Sequence, residues 1–221
     1  MLWFSKKPFR GDGAYIKDTS IFFSQGTEKT RICAVSDIQL LGAHNLENVL
    51  AAVCVAMCMG VPPNAIQKTI KEFRGVPGRM ELVRTVRGVA YYNDTTATMP
   101  EAAIAALDVL AHKNVILLAG GADKKLNYRE LARAIKKRAP KLVLFKGAAT
   151  EKLMQELEKI KYHKILGIVT GMKDALSIAR AEAKRGDVVL LSPGAASFGI
   201  FKNEFDRGDQ FCALVRKLPS H

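Results

Sequence analysis

From residue 115 onward the chain alternates short apolar runs with longer amphipathic ones. The runs are Val115 to Leu118, Lys141 to Phe145, Ile165 to Val169 and Val188 to Leu191. Between them lie helical patterns over roughly 127–138, 149–160 and 172–184, with another near 101–111 before the first. Four- to five-residue runs with almost no polar alternation are strands buried on both faces. Strand and helix in strict alternation give right-handed crossovers and a mainly parallel sheet covered on both sides. The pattern therefore predicts an α/β, Rossmann-like domain whose ligand sits at the carboxyl ends of its strands.

The residues before it follow another rule. Ala14 to Lys17, Ile21 to Ser24 and Thr30 to Val35 are β-prone runs separated by polar turns, which suggests a small antiparallel patch. His44 to Met59 reads as a helix, apolar on nearly every face after Asn48, so it is expected to be buried on most sides; Pro62 to Phe73 reads as a second helix. Gly75-Val76-Pro77-Gly78 then interrupts the pattern and marks a boundary, giving domains over 1–74 and 75–221. Past it, Met80 to Val86 and Val89 to Tyr92 read as a hairpin around Arg87-Gly88.

The longest apolar stretch, Val49 to Val61, is too short to span a bilayer, and Met1 to Lys7 lacks the order of a signal peptide, so a cytoplasmic protein with no membrane partner is expected. Cys33, Cys54, Cys58 and Cys212 form no C-x-x-C pair and sit among apolar residues, as reduced core cysteines do. They are not expected to hold a metal. The formal net charge of +13 fits a nucleic-acid surface, a polyanionic small molecule or a solvated basic exterior. Clusters such as Lys136-Lys137-Arg138 and Lys159 to Lys164 lie on or beside helices without a nucleic-acid motif, which favours the last.

Five stretches are more polar, or richer in glycine, than their places between apolar elements require. Asn45 and Asn48, three apart at a helix start, can face one way, which suits a purine edge or helix capping. Arg79 follows the Gly-Val-Pro-Gly turn and Asp94 follows a strand: a fork for phosphate and an acceptor for ribose hydroxyls, or a surface ion pair. Tyr92 to Pro100 leads from strand to helix with three threonines, suited to an anion or to capping. Gly120-Gly121-Ala122-Asp123-Lys124 lets backbone approach a ligand and adds a point charge. Last, Ser192-Pro-Gly-Ala-Ala-Ser-Phe198 opens from a buried strand into small residues and then a helix, where N–H groups and hydroxyls can meet an anion.

In this order the motifs Gly-x-His-Asn-x-x-Asn, Gly-x-Pro-x-Arg with Arg79, Asn-Asp-x-x-Ala-Thr, Gly-Gly-x-x-Lys and Ser-Pro-x-x-Ala-Ser, with Phe-Lys-Asn and Arg-Gly beyond, resemble the Mur ligases from Leu41 to the end. The resemblance is to the D-glutamate-adding branch, since the Asp-Asn-Pro-Arg of diaminopimelate-adding relatives is missing. It implies that Asn45, Asn48, Arg79 and Asp94 meet an adenine nucleotide. Thr98, Lys124, Ser197 and the backbone at Phe198 would hold the two carboxylates of D-glutamate. Two places depart from the family pattern: Thr95-Thr96 stands where many relatives carry a lysine, and the aromatic after Asn203 is displaced to Phe205, which the resemblance still implies as a D-glutamate-binding residue.

The resemblance also implies an ATP-dependent amide ligase joining D-glutamate to UDP-N-acetylmuramoyl-L-alanine in peptidoglycan precursor synthesis, through an acyl phosphate and with Mg²⁺. Yet the 221 residues contain no G-x-x-x-x-G-K-[ST] segment. Residues 1–74 thus resemble only the last part of a central ATPase domain, the Mg²⁺ ligands are expected elsewhere, and the chain is expected not to catalyse alone. An exposed apolar sheet edge is expected near the N-terminus, giving either weak order there or pairing with the missing half or a second copy. Two alternatives remain open at this level: a stand-alone module binding anions or nucleic acid, and part of a folylpolyglutamate-synthetase-like ligase.

Overall fold

A computed structural model describes residues 1–138 and 141–219. The chain divides into two compact units, Met1–Gly75 and Val76 onward.

In the first unit, β1 (Trp3–Ser5), β2 (Gly13–Lys17), β3 (Ser20–Gln25) and β4 (Glu28–Ala34) form a four-stranded sheet in chain order. β2, β3 and β4 are an antiparallel meander, but β1 runs parallel to β2. The three expected runs are this antiparallel meander; β1, only three residues long and too short for a sequence pattern, is an addition to it, and the loop after it returns the chain to run alongside it, with the Trp3 N–H bonded to Asp12 O at 3.0 Å. β1 is an edge strand, with Trp3 and Phe4 exposed.

Two helices, α1 (Ala43–Cys58) and α2 (Pro63–Glu72), cover this sheet. Leu50, Val53 and Cys54 of α1, spaced i, i+3, i+4, pack with Ala14, Ile21, Phe23 and Ile66. Cys54 Sγ accepts from Ala14 N at 3.2 Å and donates to the Trp3 carbonyl at 3.3 Å, tying the helix to β1 and β2. The other side of α1 is not buried, contrary to the sequence expectation: Val55 is 64% and Met59 76% exposed, and Cys58 is exposed too. A helix that is apolar all round does not choose its buried side, and within this unit the sheet covers only one stripe.

In the second unit six strands make one sheet in the order β5-β6-β10-β7-β8-β9. They are β5 (Glu81–Val86), β6 (Val89–Asn93), β7 (Val115–Gly120), β8 (Lys141–Phe145), β9 (Ile165–Val169) and β10 (Val188–Leu191). The β5–β6 hairpin is antiparallel and every other pairing is parallel. The crossover helices are α3 (Pro100–Val109), α4 (Arg129–Arg138), α5 (Ala148–Lys159) and α6 (Met172–Glu182), and α7 (Glu204–Arg216) closes the chain.

Alternation within the strands divides the core. Val115, Leu117 and Ala119 with Leu142, Leu144, Val188 and Leu190 face α3, α4 and α5, whereas Ile116, Leu118, Val143, Phe145, Val189 and Leu191 face α6 and α7. This is the two-layered cover that near-continuous apolar strands require. The helices agree locally with the plan. α4 buries Leu131, Ala132 and Ile135 as one stripe and carries Glu130 in its first turn and Lys136, Lys137 and Arg138 in its last, complementing the helix dipole.

The chain moves outward from β7 through β8 to β9, then returns to lay β10 on the other side of β7. Such a reversal of strand order leaves a crevice at the carboxyl ends. The loops that follow β6, β10 and β7 are those holding residues 94–99, 192–203 and 121–128. No helix among the described residues is long and apolar enough to cross a membrane.

Candidate functional site

Register fixes the site. Leu191 of β10 pairs with Asn93 of β6 and with Leu118 of β7, so Asp94 and Ser192 leave the sheet at the same level. The loops are then laced together by backbone bonds. Gly194 N donates to Ala97 O at 2.8 Å, Gly120 N to Pro193 O at 2.8 Å, and Ala122 and Ala196 bond reciprocally at 2.9 and 3.2 Å. The last pair requires Gly121, whose φ is +133° and where a Cβ would lie 2.4 Å from the Ala196 carbonyl oxygen.

This lacing brings together the residues expected to hold an amino acid. Lys124 Nζ, on an exposed side chain, donates to Thr98 Oγ1 at 3.1 Å. One residue along from the Ala122–Ala196 bridge, Ser197 is only 3% exposed, and its Oγ is buried with no hydrogen-bond partner among the described residues. A buried hydroxyl without a partner costs free energy unless something else satisfies it. Nor are the N–H groups of Ser197 and Phe198 bonded among the described residues. The result is a cation, an accepting and donating hydroxyl, an unsatisfied hydroxyl and free N–H groups on three laced loops: the donor set a carboxylate takes.

The remaining threonines are otherwise engaged. Thr95 Oγ1 donates to Glu204 O at 2.7 Å and Thr96 Oγ1 to Gly78 O at 2.9 Å. None of the three caps α3, whose cap residue is Met99. Beside Lys124, Asp123 is ion-paired to Lys152, and that bond holds its carboxyl below the usual range. Lys124 is therefore not neutralised by its neighbour.

Phe198 is 61% exposed. Phe205, 63% exposed, lines a cavity of about 440 Å³ with Gly78, Glu81, Asn93 and Cys212, and neither Thr98, Lys124 nor Ser197 lines it.

Asp94 is buried, and its carboxylate accepts from Met80 N at 3.1 Å and from Ser192 Oγ at 2.7 Å. It thereby fixes the turn that carries Arg79, whose side chain is exposed. In the first unit, Asn48 Nδ2 donates to Asn45 Oδ1 at 3.1 Å, and Asn45 Nδ2 to Leu41 O at 2.7 Å. The two amides do face one way. Neither caps α1, whose cap residue is Gly42. Asn48 also lines, with Thr69, a cavity of about 420 Å³ walled mostly by apolar residues such as Ile38, Val49, Ala52 and Phe73. No group of three or more His, Cys, Asp or Glu is placed to hold a metal ion among the described residues.

Sequence reasoning missed one feature. Arg207 is 0% exposed, yet its guanidinium meets Thr95 Oγ1 at 3.1 Å, Thr95 O at 2.8 Å and Ala195 O at 3.2 Å. The signal was available: Arg207, Phe211 and Val215 are spaced i, i+4, i+8 on the buried stripe of α7, so a charge stands where the pattern calls for an apolar residue.

The family model described as "Mur ligase, glutamate ligase domain" matches residues 78–194, within this mainly parallel α/β unit, and the chain belongs to the Mur ligase family. The particular relatives are D-glutamate ligases. The UDP-N-acetylmuramoylalanine--D-glutamate ligase of Roseiflexus sp. (strain RS-1) is 47% identical over 188 residues, 85% of this chain and 40% of that protein. That of Pelotomaculum thermopropionicum is 37% identical over 218 residues, 99% of this chain and 47% of the relative. The chain thus spans less than half the length of these relatives. Among solved structures, MurF ligase from Thermotoga maritima in complex with ADP matches 97% of this chain and 48% of its own with TM-score 0.60 at 20% identity. A bifunctional folylpolyglutamate synthase/dihydrofolate synthase from Yersinia pestis matches 92% of this chain and 46% of its own at TM-score 0.63 and 16% identity. Both share the fold.

Proposed function

We propose that this chain is the amino-acid-binding part of a cytoplasmic ligase that joins D-glutamate to UDP-N-acetylmuramoyl-L-alanine, with ATP consumed through an acyl phosphate. The observation that carries the reading is the unsatisfied Ser197 Oγ beside loops that also present Lys124 and Thr98. One carboxylate of D-glutamate takes the Lys124 ammonium and Thr98 hydroxyl; the other takes Ser197 Oγ and the N–H of Phe198. Spreading the two contacts over different loops leaves the amine between them as the nucleophile. Phe198 forms a wall, and Phe205 stays with the neighbouring cavity.

For the nucleotide, the reading uses Asn45 and Asn48 for the purine edge and Arg79 for phosphate. The apolar cavity beside Asn48 suits a purine face. Asp94, whose carboxylate holds the Arg79 turn through Met80 N, also offers an acceptor to the ribose hydroxyls in this reading. Mg²⁺ finds no ligand cluster among the described residues, and no residue of this chain is assigned to it. The reading includes that these 221 residues do not turn over alone, because they contain no phosphate-cradling G-x-x-x-x-G-K-[ST] loop.

ATP-dependent phosphate release with UDP-N-acetylmuramoyl-L-alanine and D-glutamate tests this. No turnover is expected from the isolated chain, and robust turnover overturns that part. Titration with D-glutamate against L-glutamate tests the site: preference for the D isomer supports it, and equal or absent binding counts against it. A salt-sensitive nucleic-acid gel shift with no response to D-glutamate would instead support a binding module using the basic surface.

A further inference from the structure

Arg207 carries a full charge into the interior. Its guanidinium donates to a carbonyl and a hydroxyl of Thr95 and to the carbonyl of Ala195, all of them neutral. Burial lowers its pKa from 12.5 to about 10, against the weaker pull of Glu204. A buried guanidinium whose hydrogen bonds all go to neutral acceptors is costly, so a stability role alone explains it poorly: an apolar side chain on the Phe211–Val215 stripe would serve that better.

Its partners explain it better. Thr95 stands three residues before Thr98, and Ala195 two before Ser197. One rigid fork therefore spans the loop after β6 and the loop after β10, which carry the two hydroxyls of the amino-acid site. The helix end that presents Arg207 is fixed as well. Asn203 caps α7 by accepting from Asp206 N at 2.8 Å, and Thr95 Oγ1 donates back to Glu204 O at 2.7 Å. Gly208 permits the approach, since a Cβ there would come within 2.6 Å of Thr95 Cγ2.

We propose that Arg207 is a positioning residue: its guanidinium sets the separation of the Thr98 and Ser197 loops. Resting on the amino-acid-site reading above, it also supplies a buried positive charge behind the place where the ligand's carboxylates collect. Lysine has a point charge and no planar fork, so it cannot hold two carbonyls at fixed spacing. Methionine keeps much of the volume and loses the charge.

Two measurements on Arg207→Lys and Arg207→Met test this, each variant first shown by circular dichroism and its melting curve to be folded. Amide hydrogen exchange reads the loops: faster exchange is expected at Gly194 and Ala196, with Leu117 and Leu190 in the sheet unchanged. Titration with D-glutamate followed by amide chemical shifts reads the site, where about tenfold weaker binding is expected in Arg207→Lys, the loss of hydrogen bonds from a charged donor. Unchanged exchange at Gly194 and Ala196, or exchange raised equally throughout the sheet, overturns the positioning role. If the unaltered chain binds no D-glutamate, the site reading falls, while hydrogen exchange still decides the role of Arg207.

Discussion

Lys124 and Thr98, 26 residues apart, meet at the ends of the two strands that flank β10, the ammonium donating to the threonine hydroxyl at 3.1 Å. The bond joins two loops and leaves the ammonium's other donors facing out. Lys124 is exposed, so Lys124→Ala leaves the fold intact. Hydrogen bonds to a charged group are worth roughly 1.5–3 kcal/mol, and D-glutamate affinity is expected to fall about ten- to a hundredfold in that variant. Thr98→Val loses less, because its hydroxyl is neutral. Calorimetric titration checks both, and an affinity unchanged by Lys124→Ala removes that residue from the site.

Ser197→Ala should move stability and binding in opposite directions. The Oγ is buried without a partner, so deleting it relieves desolvation and stabilises the ligand-free chain by up to about 1 kcal/mol. The same change removes a donor to the ligand and weakens D-glutamate binding. Urea unfolding and titration on one preparation read the two effects. Lower stability with unaltered binding would mean the hydroxyl serves the fold.

The parallel sheet was legible because strands buried on both faces need apolar runs and their crossovers need amphipathic ones. Val115 to Gly120 and Arg129 to Arg138 each state their state locally. The strand order was not legible: β10 lies between β6 and β7 by tertiary pairing across 98 residues between Asp94 and Ser192. The site was readable as five polar interruptions, since backbone that meets a ligand cannot be covered by apolar side chains. Their lacing was hidden, because Gly194 N to Ala97 O is a backbone bond on which side-chain identity has little say. The partners of Asp94 were equally hidden, and the structure gives its carboxylate to Met80 and Ser192. β1 escaped because three residues are too few for a pattern, and the uncovered side of α1 because Val55 and Leu50 are chemically alike and only the position of the sheet separates them.

That uncovered side makes its own prediction. Leu2, Phe4, Val55, Cys58 and Met59 line one apolar surface beside the edge strand β1. Such patches associate. Light scattering of the isolated chain over rising concentration is expected to show mass above the monomer, and Val55→Glu with Met59→Lys is expected to restore the monomer. Stability should shift by no more than about 0.5 kcal/mol, the usual range for exposed positions. A wild-type chain that stays monomeric throughout would show that this surface does not drive association.

Cys33, fully buried in β4, gives a pH signature. Burial, helped by Asp37 and opposed by Arg31 and Lys71, pushes its thiol up from 9.0 to about 11. The folded thiol therefore holds its proton longer than the unfolded one. Below pH 9 both states are protonated and stability is unaffected. Between 9 and about 11 only the unfolded chain ionises, so unfolding releases a proton and stability falls as pH rises; above that both are ionised and the loss levels off. The full loss is of the order of 3 kcal/mol. Other alkaline groups titrate in the same range, so the test is the difference between the wild type and Cys33→Ala, measured by urea unfolding at pH 8, 9, 10 and 11 with reductant present. The variant starts less stable because its deleted sulfur leaves a small cavity. Its deficit should narrow steadily across that range, and a deficit constant with pH would show that Cys33 ionises alike in both states.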